Sequence, residues 1–345
     1  MDELRVRYAG LVAALAVNTE EASGQERLAT SADALADQAD LIWLRVQARA
    51  LAATARAASG SPPDLDAIVD AALPPVDQSA PGRLNELLPG DGLLSDRLAA
   101  HDAAAVVPPH ALRPVGERLL DLFRRRASED LELPTDHALS LAIVDRPADP
   151  CRARLEPALL ILNACATWTV ERLVQAISSE AYPGRHLARL MRPPAPEFEP
   201  SPETTIDRGL AGVGREILMA DHELAHEIER IGRAVGARWN GERILATGRA
   251  RAVLAPNFAA ASLAAPSRDV RHELAGLGAD PLTAEVLIRR WQDPLARAHS
   301  LSRAAGPPLV RAWLAAIGQT MGLQRLLSER LVPSMLRAEA IDGRH

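Results

Sequence analysis

A zinc-binding pattern occurs at residues 222–226, His-Glu-Leu-Ala-His, which have the spacing H-E-x-x-H. On a helix, this spacing puts two imidazoles one turn apart, where they can share a metal ion while the glutamate acts as general base. The apolar residues around the pattern form a stripe at helical spacing, and His222 and His226 fall opposite that stripe on a continuous helix. A catalytic zinc site needs histidines that face a cleft. The sequence therefore favours an exposed polar face, and a zinc metallopeptidase using His222, Glu223 and His226 stays an alternative.

A second segment carries a rarer combination of residues: Ser179-Glu180-Ala181-Tyr182-Pro183-Gly184-Arg185-His186. A Pro-Gly pair in a helical stretch is uncommon, because proline ends or kinks a helix. The segment resembles the signature H-E-A/G-Y-P-G-H-H of a bacterial family of zincin-like metallopeptidase-related proteins, mostly of unassigned function. Residues 201–211, 293–306 and 326–334 resemble further blocks of this family. The resemblance covers roughly residues 130–337 and implies a multi-helical zincin-like fold.

The chain departs from this family at the positions that the resemblance identifies as metal ligands. Ser179 and Arg185 replace two histidines, and Arg208 replaces the third ligand, a glutamate. A serine hydroxyl is a poor zinc ligand at neutral pH, and a guanidinium has no lone pair to donate. The sequence therefore predicts no metal at this site. We expect Arg185 or Arg208 to pair with Glu180 and to supply the positive charge that the metal would have supplied.

The remaining signature residues define the candidate site. The resemblance implies that Glu180, the general-base position, and His186 are vestigial catalytic residues. The residues expected to bind a substrate or ligand are Tyr182, Arg185, Arg208, His299 and Arg303. A purely structural role stays open for two of these residues: Tyr182 could shape a helix bend, and His186 could be a half-buried histidine with its hydrogen bonds satisfied.

Three functions are compatible with these residues. The first is a catalytically inactive member of the family, a pseudoenzyme that binds an unknown protein or small molecule. The second is a metal-independent enzyme with Glu180 as base and arginines that hold an anionic substrate. The third is the zinc metallopeptidase built on residues 222–226. No cofactor is expected, and zinc is expected only if the family site or the H-E-x-x-H pattern is functional.

Composition excludes several other functions. All 39 basic residues among the 345 are arginine, which excludes a Schiff-base lysine and a Walker-type phosphate loop. The net charge of −6 argues against nucleic-acid binding, and no apolar run is long enough to span a membrane. The glycine-rich residues 209–214 follow no predicted strand, as a dinucleotide-binding loop must. The N-terminus does not resemble a secretory signal, and Cys151 and Cys165 form no metal-type pair, so a cytoplasmic location is expected.

The alanine- and leucine-rich composition predicts a mainly α-helical protein. Periodicity predicts helices over residues 1–20, 26–58 and 113–128. A small β-hairpin is expected near 137–156, where 137–145 would pair with 152–156. Helices are expected from residue 159 to about 335, with breaks at 183–184, 193–202, 256, 266 and 306–308. The predicted division is an N-terminal helical segment (1–60), a Pro/Gly-rich connector (61–113) and a zincin-like helical domain (114–345).

Overall fold

The computed structural model describes residues 2–17, 22–147 and 152–342, and Cys151 lies outside these ranges. Cys165 is exposed. The prediction of a mainly α-helical protein is confirmed. The first half contains α1 Asp2–Val17, α2 Ala22–Gln38, α3 Ile42–Ala58, α4 Leu65–Val69, α5 Ala80–Leu87, α6 Leu94–Ala104, α7 Leu112–Asp130, β1 Ser140–Val144, β2 Ala153–Glu156 and β3 Leu159–Asn163. The second half contains α8 Val170–Glu180, α9 Arg185–Met191, α10 Pro202–Leu218, α11 Asp221–Ala234, α12 Gly241–Val253, α13 Ala255–Ala264, α14 Arg271–Gly276, α15 Pro281–Arg290, α16 Pro294–Ile317, α17 Gln319–Ser328 and α18 Pro333–Asp342.

The N-terminal helices fold as a hairpin. The single helix predicted over 26–58 is wrong, because the chain turns at residues 39–41 and forms α2 and α3. Arg45 stabilises this turn by donating hydrogen bonds to the carbonyls of Ala39 (3.1 Å) and Asp40 (3.4 Å). No glycine or proline marks the turn in the sequence. Tyr8 of α1 packs edge-on against Trp43 of α3, with ring centroids 5.6 Å apart.

The sheet has three strands in the order β1-β3-β2, and the predicted hairpin over 137–156 is wrong in its pairing. β1 pairs with β3 in parallel, whereas β2 forms the antiparallel hairpin with β3. The expectation of helix from residue 159 onward is wrong only at its start, because residues 159–163 form β3, whereas helices follow from Val170. β3 is a continuous apolar run buried in the centre of the sheet, and periodicity cannot distinguish such a strand from a buried helix.

Helices α10 and α16 form the centre of the fold and begin with similar local signals. Ser201 accepts a hydrogen bond from the Thr204 amide (3.1 Å) at the start of α10, and Asp293 accepts one from the Leu295 amide (2.9 Å) at the start of α16. In each helix, a proline occupies the first position, where no amide donor is needed. The break predicted at 306–308 is wrong, because α16 continues through both prolines.

The two helices approach each other closely where glycines face each other. A Cβ added at Gly209 would lie 2.7 Å from the Gly306 carbonyl oxygen, and one added at Gly306 would lie 2.7 Å from the Gly209 nitrogen. A Cβ at Gly212 would meet Pro307 at 2.7 Å. The absence of side chains at Gly209 and Gly306 therefore sets the distance between the two backbones.

The hydrophobic clusters cross the boundaries of the predicted segments. One cluster combines Ala53 of α3, Ile68 of α4 and Leu301 of α16, which belong to the N-terminal segment, the connector and the third segment respectively. The division at residues 60 and 113 stays a prediction. Within the described ranges, no helix has both the length and the apolar character that crossing a membrane requires.

Replacing Gly306 by alanine is expected to destabilise the protein by about 1–3 kcal/mol, because the new Cβ would press on the backbone of α10. Gly10→Ala is the matched control, since a Cβ on this exposed α1 glycine meets no atom within 4 Å. The control variant should be as stable as the parent protein or more stable by up to about 1 kcal/mol. Urea denaturation of both variants measures the difference, and equal stability would contradict the proposed helix contact.

Candidate functional site

The turn between α8 and α9 carries the signature residues. Thr169 starts α8 by accepting a hydrogen bond from the Arg172 amide at 3.2 Å, and the helix ends at Glu180. Gly184 then lies so close to the last turn of α8 that a Cβ there would overlap the Ser179 carbonyl. This close approach requires glycine, and it brings Arg185 next to Glu180.

Tyr182 and His186 anchor this turn to the chain that leads into β1. Tyr182 is fully buried, and its hydroxyl donates a hydrogen bond to the His137 carbonyl at 2.5 Å. His186 is also buried, and its Nε2 lies 2.8 Å from the same carbonyl oxygen, which assigns the proton to Nε2. Burial lowers the pKa of His186 and favours the neutral ring. These contacts indicate a structural role, and the assignment of both residues to ligand binding or vestigial catalysis stays a prediction.

A chain of ion pairs connects the predicted ligand positions. Arg185 Nη1 lies 3.8 Å from Glu180 Oε2, and Arg185 Nη2 donates to Glu199 Oε1 at 3.1 Å. Arg208 Nη2 lies 3.8 Å from the other oxygen of Glu199. The predicted arginine partner of Glu180 is thus Arg185, whereas Arg208 pairs with Glu199. Sequence analysis did not identify Glu199, whose exposed carboxylate links the two arginines.

The donor groups at these positions do not fit a zinc ion. Ser179 donates its hydroxyl to the Ala176 carbonyl at 3.3 Å, and Glu180 faces the Arg185 guanidinium. Arg185 and Arg208 are permanent cations without lone pairs. Zinc requires neutral or anionic donors, so a divalent cation here would be repelled by both guanidiniums.

A cavity of about 840 Å³ lies beside this chain of ion pairs. Three of the residues identified in the sequence line it: Ser179 of α8, Arg208 of α10 and Arg303 of α16. Glu180, Tyr182, Arg185, His186 and His299 are not among its lining residues. Sequence analysis missed the residues that α12, α13 and the connector contribute to the wall: Pro74, Pro75, Asp77, Arg249, Ala252, Val253, Ala255 and Pro256. No local motif marks these residues as part of a site, because only tertiary packing brings α12, α13 and the connector to the cavity.

His299 and Arg303 lie in an electropositive environment on α16. Burial lowers the pKa of His299, and the nearby cations Arg208, Arg303 and Arg290 lower it further, while Glu199 opposes them. Burial also lowers the pKa of Arg303, with smaller contributions from Arg208 and Arg290. The one acidic group that acts on both residues is Glu199, which is already shared with Arg185.

The H-E-x-x-H residues lie on α11, with both histidines exposed. α10 and α11 are separate helices, not the continuous helix assumed from the sequence. α11 by itself nevertheless buries Leu224, Ile228 and Ile231 on the face opposite the two histidines. Glu223 lies 3.4 Å from Arg126 of α7.

One potential metal-ligand group occurs elsewhere in the described part of the chain. Ligand atoms of His101, Asp102 and Glu171 lie within 4.8 Å of one another. Arg172 (3.1 Å) and Arg251 (2.7 Å) donate to Asp102, and Arg251 also donates to Glu171 (2.8 Å). These arginines already neutralise both carboxylates, so the group is a salt-bridge network that joins α6, α8 and α12.

Replacing Arg185 by methionine is expected to destabilise the protein by about 1–3 kcal/mol, because Glu180 Oε2 is buried and has no hydrogen-bond partner of its own. The double variant Arg185→Met/Glu180→Gln should recover part of this loss, since a neutral amide side chain needs no neighbouring cation. The neighbouring Arg189 pairs with Glu197 at 3.8 Å between two well-exposed side chains, so Arg189→Met should cost no more than about 1 kcal/mol. Urea denaturation tests the series, and the pairing is refuted if the double variant is no more stable than Arg185→Met.

Comparison of this chain with protein-family models, with curated proteins and with solved structures finds no match.

Proposed function

We propose that this protein is a catalytically inactive member of the zincin-like metallopeptidase-related family, and that it binds a small molecule in the 840 Å³ cavity. The observation that carries the proposal is the chain of ion pairs through Arg185, Glu199 and Arg208. Two residues at positions that the resemblance identifies as metal ligands are cations, and they are held by carboxylates. These positions therefore carry positive charge and offer no donors for a metal.

The spatial arrangement supports the resemblance between this chain and the family. The signature segment 179–186 and Arg208 are separated in the sequence, yet both contact the same Glu199 carboxylate. Ser179 and Arg208 also line one cavity. The volume of that cavity lies in the range of small-molecule sites, and its wall combines apolar side chains with polar and charged ones. A small molecule is therefore favoured over a protein as the ligand.

The two alternative functions have weaker support. A metal-independent enzyme would need Glu180 as a free base, but Glu180 faces Arg185 and is not among the cavity-lining residues. A metallopeptidase at residues 222–226 would need histidines turned toward a cleft, but His222 and His226 are exposed on α11.

Zinc content of the untagged protein tests the loss of the metal site. After incubation with zinc and desalting, elemental analysis should find far less than about one zinc per chain, because tight zinc sites need three or four good donors. The His222→Gln/His226→Gln variant is the control, since any zinc that this change removes belongs to the exposed histidines. About one zinc per chain in both proteins would overturn the proposal. Zinc present in the parent and lost in the control would favour the metallopeptidase alternative.

A further inference from the structure

We infer that the cavity binds an amphipathic organic anion, with its oxyanion group between Arg208 and Arg303 and its apolar part along the α12–α13 wall. The inference rests on the proposed function and specifies its ligand class. It depends on three properties of the cavity: its hydrogen-bond donors without partners, its charge balance and its apolar wall.

The first property is the hydrogen bonding of the four cavity arginines. Arg303 makes no hydrogen bond or ion pair with the residues that the structure describes. Within the described ranges, Arg208 has only the 3.8 Å ion pair with Glu199, and its buried Nε has no partner there. By contrast, Arg311 donates to Glu216 at 3.0 Å, and Arg249 pairs with Asp221. The unused donors of the cavity are therefore concentrated at Arg208 and Arg303.

The second property is an excess of positive charge at this end of the cavity. Arg290 acts electrostatically on both Arg303 and the neighbouring His299, and Glu199 is the acid that opposes it. Arg185 already occupies one oxygen of Glu199, so this carboxylate cannot neutralise Arg208 and Arg303 fully. An oxyanion would accept hydrogen bonds from both guanidiniums, whose planar forks match carboxylate and phosphate geometry. It would also remove the repulsion between the cations.

The third property is an apolar stretch of the cavity wall. Ala252 and Val253 of α12, Ala255 and Pro256 of α13, and Pro307 and Pro308 of α16 line it. Val253 is 43% exposed, although α12 packs Ile244 and Leu245, two turns earlier, into the core. Alanine and proline side chains offer apolar contact and no hydrogen-bonding groups. Such a wall suits an alkyl or similarly apolar part of a ligand, which would be removed from water on binding.

Calorimetric titration with octanoate, octyl phosphate and octan-1-ol tests the inference, because the three probes have alkyl chains of similar length and differ in the head group. Octanoate or octyl phosphate should bind at least about tenfold more tightly than octan-1-ol, as expected for hydrogen bonds to charged groups. The tighter of the two anions identifies the head group as carboxylate or phosphate. Arg303→Gln should reduce anion affinity by about tenfold and leave octan-1-ol unchanged.

Arg311→Gln is the matched control, since Arg311 lines the same cavity but is paired with Glu216. It should change anion affinity by less than about threefold. Arg208→Gln provides a second variant, and circular dichroism verifies that each variant is folded. Binding of octan-1-ol as tight as that of both anions, unchanged anion affinity in both Arg303→Gln and Arg208→Gln, or no binding of the anions would overturn the inference. Zinc uptake by the same preparation decides the proposed function separately, so the two failures are distinguishable.

Discussion

The close contact between α10 and α16 is the constraint on which the candidate site depends. Gly209 and Gly306 let the two backbones meet, and this contact brings Arg208 and Arg303 to one cavity. Two further glycines of α10 also lie close to neighbouring segments. Gly212 faces Pro307 of α16, and a Cβ at Gly214 would lie 2.6 Å from Pro183 of the α8–α9 turn. The glycine-rich residues 209–214, which could suggest a nucleotide loop, are thus a helix surface against which α16 and the α8–α9 turn pack.

Charge compensation explains how the site can exist without a metal. Glu180 is largely enclosed, and an enclosed carboxylate is costly unless a cation or hydrogen-bond donors accompany it. Arg185 supplies that cation from the adjacent turn and is itself balanced by Glu199. The compensation is incomplete further along, because Glu199 also faces Arg208, and Arg303 has no acid as a direct partner among the described residues. One end of the ion-pair chain is therefore compensated, and the other end retains positive charge.

The sequence predicted features that depend on local periodicity and on side-chain chemistry. Alanine and leucine indicated the helical class, and the stripe of Leu224, Ile228 and Ile231 predicted that His222 and His226 face solvent. The pairing of an arginine with Glu180 followed from the cost of an unpaired carboxylate. These inferences needed no knowledge of how distant segments meet.

Features that depend on distant segments could not be predicted in this way. β1 pairs with β3, although β2 lies between them in the sequence. A largely apolar run such as 159–163 has the same pattern in a buried strand as in a buried helix. Proline normally ends or kinks a helix, but α16 continues through Pro307 and Pro308. Pro307 packs against Gly212 of α10 at this point. The contributions of α12 and α13 to the cavity wall depend on tertiary packing alone.

The central claim is that residues 179, 185 and 208 occupy a former metal site in which arginine charge has replaced the metal. Zinc titration of the variant Ser179→His/Arg185→His/Arg208→Glu, followed by calorimetry, tests it most directly. If the claim is correct, the folded variant should bind about one zinc per chain with far higher affinity than the parent, because the three donors of a zinc site are restored. A folded variant that binds zinc no better than the parent would contradict the account.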